Sequence, residues 1–350
     1  MDRSSCIACT AVETTARRTV YLDLNHWYAL GDAMAGHPQR PEHLDLLRRL
    51  SALVEQGQLM FPLSAVHYME LSENPRDEYR QRAANVMAVL SRFNTMTSIT
   101  KIVDEELALA LNSRFGRPAF PVKVPKFGVG VWFALKGELK GYRLKGGSDE
   151  SRRELEAQLG RSIAQLEDEV NAVAEYELLR QPPKAYWDQI PDYDPYAARR
   201  EADKELASFN VLLNTLRTKP DIQARPLDAI CARQFYFEIE DNYARALVSA
   251  GYSSNRPPPL KGKEALTEFL MSMPSRRVAT MMQHHYLKDL QRDWTINDLR
   301  DITALAKAIP YCDIVVTDNK AWDAAVNRAH LDDEFGTTVL RRLTDLTAYL

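Results

Sequence analysis

The chain has 350 residues, of which 45% are hydrophobic and 27% are charged, and its formal net charge is −3. This balance is typical of a globular protein and excludes a polycation that binds nucleic acid over its whole surface. No apolar run approaches the roughly 18–20 residues that cross a membrane, and no long apolar stretch follows the amino terminus as a secretory signal requires. We therefore expect no membrane partner and a cytoplasmic location.

Two short apolar runs, one near each end of the chain, finish in an aspartate. Thr19–Asp23 reads Thr-Val-Tyr-Leu-Asp, and Ile314–Asp318 reads Ile-Val-Val-Thr-Asp. Short β-branched runs are typical of buried parallel strands, and open α/β sheets bind ligands beyond the carboxyl ends of their strands. The two runs therefore predict strands that bring two carboxylates to one edge of a sheet.

The α/β pattern continues between the first strand and residue 71. His43–Glu55 places leucines on one face and predicts an amphipathic helix. Leu59–Leu63 predicts a second short strand. Ser64 is a suitable cap for a following helix, which carries Glu70 close to the carboxyl end of that strand.

Residues 72–297 form a long section whose pattern is mainly helical, with a Pro- and Gly-rich loop predicted at Gly116–Gly130. The clearest helix in this section is Ser151–Arg180, whose apolar residues follow a heptad-like spacing. The apolar seam of this helix predicts either a helical hairpin within the chain or self-association of two chains. The section as a whole could also bind an inhibitory partner. The other helices predicted here are Arg80–Phe93, Asp104–Phe115, Ala197–Leu216 and Pro226–Ala250.

The α/β pattern returns in residues 298–350. A helix is predicted at Leu299–Ile309, a strand at Ile314–Thr317, a helix at Lys320–Ala329 and a strand from Thr338. We therefore predict an α/β fold with a central, mostly parallel sheet. The sequence predicts three parts: a flexible leader (residues 1–18), a split catalytic unit (19–71 and 298–350), and a mainly helical insertion (72–297).

A further acid, Asp301, is expected at the same sheet edge. Asp301 opens the helix that precedes the strand ending at Asp318. Twelve residues of helix rise about 18 Å and five residues of strand return about 17 Å, so the two carboxylates can meet. Asp313 begins that strand, about 15 Å from Asp318, and is expected to brace the turn. Because a bulge could bring it closer, Asp313 remains the second choice for this acid.

Four carboxylates in one place have a definite chemical use. Asp23, Glu70, Asp301 and Asp318 would repel one another and raise each other's pKa values. A hard divalent cation such as Mg²⁺ or Mn²⁺ relieves that repulsion, and such ions activate water and stabilise the charge that builds on a phosphate during its displacement. The pattern therefore predicts a divalent-metal site suited to chemistry on a phosphate group.

In these residues the chain resembles the PIN-domain nucleases. The likeness is carried by Tyr21-Leu-Asp-Leu-Asn25, by Glu70, by Asp301 and by Thr317-Asp318, and it covers about a quarter of the chain. It implies a three-layer α/β/α fold and Mg²⁺- or Mn²⁺-dependent cleavage, usually of single-stranded RNA. It also implies metal-binding, catalytic roles for Asp23, Glu70, Asp301 and Asp318.

The resemblance also suggests that Asn25 orients a metal-bound water or a phosphate. Compact members of the family have nothing like the section from Leu71 to Asn297, which we expect to frame the substrate groove. Many compact members are toxins, so a toxin or defence effector is a hypothesis by analogy. The alternative is a catalytically silent PIN-like protein that binds RNA or supports assembly.

A candidate nucleic-acid surface lies in residues 116–145, which carry seven basic residues against one acid. Lys136, Lys140 and Arg143 can follow a phosphate backbone, and Trp132 can stack an unpaired base. The plainer reading is a solvated basic loop whose aromatic residues belong to the core. Arg276 and Arg277 form a second basic spot, which either contacts the scissile phosphate or simply lies at the start of a helix.

Overall fold

The computed structural model of the chain describes residues 17–116, 123–144, 148–182, 184–189, 194, 196–252, 260 and 262–350. Apart from residues 17 and 18, the predicted leader lies outside the described residues. The described fold is a mixed α/β fold that is mostly helical. Its strands are β1 (Arg18–Leu22), β2 (Leu59–Met60), β3 (Asn94–Met96), β4 (Phe127–Val129), β5 (Ile314–Val316) and β6 (Thr338–Leu340).

A four-stranded parallel sheet of order β2-β1-β5-β6 lies at the centre of the fold. Its strands come from both ends of the chain, and Leu22 of β1 pairs with Val316 of β5. The parallel sheet and its split origin are as the sequence predicts. The first strand is confirmed to within one residue, whereas β2 is three residues shorter than the predicted Leu59–Leu63.

Helices cover both faces of this sheet. Side chains alternate along the strands, so Val20 and Leu22 enter one apolar cluster while Tyr21, between them, enters another. The arrangement has three layers, helix on sheet on helix. The helices of the amino-terminal region are α1 (Leu24–Met34), α2 (Glu42–Glu55), α3 (Ala65–Glu73) and α4 (Asp77–Ser91).

Helix α1, which follows β1 directly, is absent from the sequence prediction. It packs closely against α4, where a Cβ atom on Gly31 would lie 2.8 Å from the backbone oxygen of Arg82. Only glycine permits that approach without a shift of the backbone. Buried residues of α4, including Ala83 and Met87, join the same apolar cluster as β1, so α4 contributes to the core of the α/β unit.

The middle of the chain is mainly helical, as predicted. A further apolar cluster, with Leu107 and Phe269 among its fully buried residues, lies there. The helices of this section are α5 (Ile99–Phe115), α6 (Val131–Lys136), α7 (Asp149–Leu159), α8 (Ile163–Arg180), α9 (Ala197–Thr218), α10 (Pro220–Gln223), α11 (Pro226–Gln234), α12 (Glu240–Ser249), α13 (Lys263–Met271) and α14 (Pro274–Tyr286).

The structure corrects two predictions in this section. The predicted loop Gly116–Gly130 contains β4, which pairs antiparallel with β3. The predicted single helix Ser151–Arg180 is two helices, because Gly160 adopts a φ of 65° and Ser162 starts α8 with a capping box. Val170 and Val173 of the predicted seam are 44% and 63% exposed, so those two seam residues are not covered by a hairpin partner.

The last part of the chain carries three more helices around β5 and β6. A π-helical turn (Asp323–Arg328) continues the short helix after β5. Every helix within the described ranges is too short or too polar to cross a membrane. The three helices are α15 (Ile296–Tyr311), α16 (Asn319–Trp322) and α17 (Leu331–Phe335).

Candidate functional site

Asp23 and Asp318 lie side by side at the carboxyl end of the parallel sheet. Each aspartate follows its strand directly and caps the next helix. Asp23 Oδ1 accepts a hydrogen bond of 2.7 Å from the backbone N–H of Leu24. Asp318 Oδ1 accepts one of the same length from the backbone N–H of Ala321. The backbone N–H of Asp23 donates to the carbonyl of Val316 at 2.9 Å, which ties the ends of β1 and β5 together.

Asp301 reaches the same place from α15. This helix begins three residues earlier than the predicted Leu299, with Thr295 and Asp298 forming a capping box at its start. Asp301 therefore lies in the second turn and does not open the helix, which corrects its predicted position. The convergence itself holds, because ligand oxygens of Asp23, Asp301 and Asp318 all lie within 4.8 Å of one another.

Glu70 and Asn25 line the cavity that contains these three aspartates. The cavity has a volume of about 420 Å³. Glu70 is the sixth residue of α3, and Ser64 caps that helix as predicted. Among the described residues, the group whose ligand oxygens lie within 4.8 Å of one another does not include Glu70, although Glu70 lines the same cavity. Asn25 is exposed on the first turn of α1.

Burial and mutual repulsion raise the pKa values of three of these acids. Burial, followed by the charges of Asp23 and Asp318, raises the pKa of Asp301 to about 8. Burial and the charge of Asp23 raise the pKa of Glu70 to about 7. The pKa of Asp23 rises to about 6 through burial and the charge of Asp318. The metal-free site therefore holds protons near neutral pH.

No lysine, arginine or histidine in the described part of the chain forms an ion pair with Asp23, Asp301 or Asp318. The nearby cations have other partners. Lys320 and Arg292 both bind Asp298, with Arg292 Nη2 at 2.7 Å and 2.8 Å from its two carboxylate oxygens. Arg300 pairs with Glu73. Clustered carboxylates without a cation fit a hard divalent ion such as Mg²⁺ or Mn²⁺, which prefers oxygen ligands.

Several residues at the site carry no sequence signal that would reveal them. Arg300 and Glu73 form an ion pair across 227 residues of sequence and both line the cavity. Tyr28 Oη accepts a hydrogen bond of 2.8 Å from Asn74 on the same wall. Their positions depend on tertiary packing. The only available hint is that Glu73 and Arg300 stand close in sequence to Glu70 and Asp301.

Asp313 does not belong to this site. Its Oδ2 atom accepts hydrogen bonds from the backbone N–H and the hydroxyl of Thr19, each at 2.7 Å. These contacts lie at the amino end of β5, opposite the carboxyl end that leads to Asp318. Asp313 thus has a structural role, but it joins the starts of β5 and β1 where the sequence predicts a brace for the preceding turn, and its position excludes it as the third acid.

The predicted basic surface is only partly assembled. Lys136 and Lys140 place their Nζ atoms 5.3 Å and 5.0 Å from the ring centre of Trp132, which is 40% exposed. Lys140 also pairs with Glu138 at 2.8 Å, and Arg143 pairs with Glu167 at 3.1 Å. Phe133 is buried in the core, as the plainer reading expects. Arg117 and Lys145 lie outside the described residues.

Arg276 and Arg277 lie on the first turn of α14 and point to different partners. Arg276 is buried and donates to Glu238 at 2.7 Å. Arg277 pairs with Glu334. Neither arginine lines the acidic cavity. The reading in which they contact the scissile phosphate has no support, because both lie outside the acidic cavity; the plainer reading, a position at the start of a helix, agrees with the structure.

Comparison with protein-family models, curated proteins and solved structures gave no match to this chain.

Proposed function

We propose that the chain is a PIN-like, divalent-metal-dependent nuclease. The observation that carries the proposal is the convergence of Asp23, Asp301 and Asp318 within 4.8 Å at the carboxyl end of a parallel sheet. The order of the acids along the chain, and the Thr-Asp ending of β5, support the family assignment. Asp23, Glu70, Asp301 and Asp318 come from four different elements, so their common position is difficult to explain by chance capping.

The three aspartates would hold Mg²⁺ or Mn²⁺, and Glu70 and Asn25 would complete the wall facing it. Such a cation, when bound, lowers the pKa of water and stabilises negative charge on a phosphate. Asp301 holds a proton near neutral pH in the metal-free chain, since its pKa is about 8. Asp298 keeps Lys320 and Arg292 beside the cluster without letting them neutralise it.

The proposed substrate is single-stranded RNA. An exposed tryptophan flanked by two lysines, Trp132 with Lys136 and Lys140, suits an unpaired base and its phosphates. Its helix, α6, packs against α3, which carries Glu70. We also propose a cytoplasmic site of action. A toxin or defence role stays a hypothesis by analogy.

Cleavage of end-labelled single-stranded RNA and DNA in Mn²⁺, Mg²⁺ or EDTA tests the proposal. Wild type would be compared with Asp23→Asn and Asp318→Asn, and Asp313→Asn serves as a matched control outside the site. We expect metal-dependent cutting of RNA by wild type and Asp313→Asn, with a loss of about 100-fold or more in both site variants.

Equal cutting by wild type and the two site variants would contradict the proposal, because the activity would then belong to a contaminant. If no sample cuts RNA or DNA in any metal while wild type still binds RNA, the catalytically silent RNA-binding alternative takes its place.

A further inference from the structure

A second and larger cavity, of about 550 Å³, lies beside the acidic one and is built mostly by the helical insertion. The two cavities share Arg300 in their walls. Two helices contribute neighbouring residues to both cavities. On α3, Met69 lines the larger cavity and Glu70 the acidic one, and on α15, Leu299 lines the larger cavity and Asp301 the acidic one. A substrate strand lying across the acid cluster can therefore place a neighbouring group in this larger cavity.

Two buried arginines in the larger cavity have hydrogen-bonding capacity to spare. Arg233 and Arg276 are 7% and 6% exposed, and both donate an Nη1 hydrogen to Glu238 at 2.7 Å. Their Nε atoms, and the Oγ atom of Ser208, are buried without a hydrogen-bond partner among the described residues. Unsatisfied buried donors are costly, and a bound group that supplies acceptors would satisfy them.

The same cavity also offers an acceptor. Glu205 lines the wall and forms no ion pair within the described ranges, whereas Glu201 is paired with Lys204 at 2.6 Å. Two guanidinium groups thus face the carboxylates of Glu205 and Glu238, and the charges balance. A free phosphate would meet two acids here. A neutral group that both donates and accepts hydrogen bonds is the better complement.

An aromatic side chain stands at the rim. Phe237 lines the cavity, and its phenyl ring is 74% exposed and therefore accessible to a ligand. It belongs to a π-helical turn, Phe235–Ile239, between α11 and α12. Such turns are rare and occur frequently at functional sites. An exposed ring beside a polar cavity is a platform on which a nucleobase can stack.

We propose that the larger cavity, lined by Arg233, Arg276, Glu205, Ser208 and Phe237, binds one guanine nucleotide of a single-stranded substrate next to the cleaved phosphodiester. Guanine presents O6 and N7 as acceptors for arginine and N1–H and N2–H as donors for a carboxylate. Other bases lack this combination. The link to cleavage rests on the proposed nuclease function, but the binding of guanine does not.

Titration calorimetry with the four nucleoside monophosphates, carried out on the full chain in EDTA, tests the binding step. We expect GMP to bind at least about tenfold more tightly than AMP, CMP or UMP. Phe237→Ala should weaken GMP binding about tenfold through lost stacking, and Glu205→Gln should remove the preference for guanine. Tyr236→Ala is the matched control, because this neighbouring exposed ring does not line the cavity, and it should bind GMP as wild type does.

Equal affinity for all four nucleotides, or no GMP binding by wild type, would overturn the inference. So would equal weakening by Tyr236→Ala and Phe237→Ala. Mapping the cut sites in RNA separates this inference from the proposed function. Metal-dependent cutting without GMP binding leaves a nuclease and removes the guanine site. Selective GMP binding without cutting in any metal keeps the guanine site and removes the nuclease.

Discussion

Asp301→Asn provides the sharpest test of the acid cluster, because it should stabilise the protein when metal is absent. In the folded chain the pKa of Asp301 is about 8, against an ordinary aspartate value of 3.8. At about pH 7 roughly three units of that shift act on stability, and one unit corresponds to about 1.36 kcal/mol, which gives an upper limit of about 4 kcal/mol. Screening and relaxation in a partly exposed site reduce this to about 2 kcal/mol.

The substituted amide has its own cost, since it needs hydrogen-bond partners that the carboxyl did not have. We therefore expect a net gain of about 1–2 kcal/mol in the free energy of unfolding, seen in EDTA as a rise of about 2–4 °C in melting temperature. Saturating Mn²⁺ should raise the wild-type melting temperature, because an ion that binds only the folded state stabilises it. That rise should largely disappear in Asp301→Asn.

Asp313→Asn is the matched control for this experiment. It weakens two hydrogen bonds from Thr19 at the opposite end of β5, so it should cost about 1 kcal/mol with or without metal and keep the full Mn²⁺ response. If Asp301→Asn is less stable than wild type in EDTA and also retains the full Mn²⁺ response, the reasoning about repulsion and metal binding is refuted.

Three further predictions concern the acid site, the contact between α1 and α4, and the basic surface. Between about pH 6.5 and 8 the folded metal-free chain holds protons on Glu70 and Asp301 that the unfolded chain has lost. The free energy of unfolding, measured by chemical denaturation in EDTA, should therefore fall by about 2 kcal/mol as the pH rises through this range. A free energy of unfolding that does not change with pH would contradict the raised pKa values. Gly31→Ala should cost about 1–3 kcal/mol in the same assay, and an unchanged midpoint would show that α1 and α4 can separate freely. Replacing Lys136, Lys140 and Arg143 with Glu should weaken RNA binding and flatten its salt dependence, whereas equal binding at every salt concentration would remove this surface.

The sheet and the acids were accessible to sequence reasoning because they depend on local rules. A β-branched run that ends in an acid specifies both the strand and the position of the carboxylate. This is why Asp23 and Asp318 meet as predicted at the ends of β1 and β5. Asp301 was placed by comparing helix rise with strand rise, and the comparison survives an error of three residues in the helix start, since about one turn changes the reach by only about 5 Å.

Other features escaped prediction for identifiable reasons. Apolar spacing continues across Gly160, so the pattern predicts one helix where a left-handed glycine ends α7. Gly128 and Gly130 suggest a loop, but Gly128 lies in β4, where a Cβ atom would fall within 2.8 Å of ring atoms of Phe133. The pair formed by Arg300 and Glu73 joins distant segments, and no local pattern encodes it.

On the proposed function, the two cavities give the insertion a role in recognition. The acids come from the split α/β unit, whereas the arginines and the exposed ring of the larger cavity come from α11, α14 and the π-helical turn of the insertion. Helices α3 and α15 contribute to both walls, so a change in how the insertion packs on them would move Met69 with Glu70, and Leu299 with Asp301. Recognition by the insertion and cleavage by the sheet edge are then coupled through α3 and α15. Variants at Phe237 should therefore alter which bond is cut before they alter the affinity for metal.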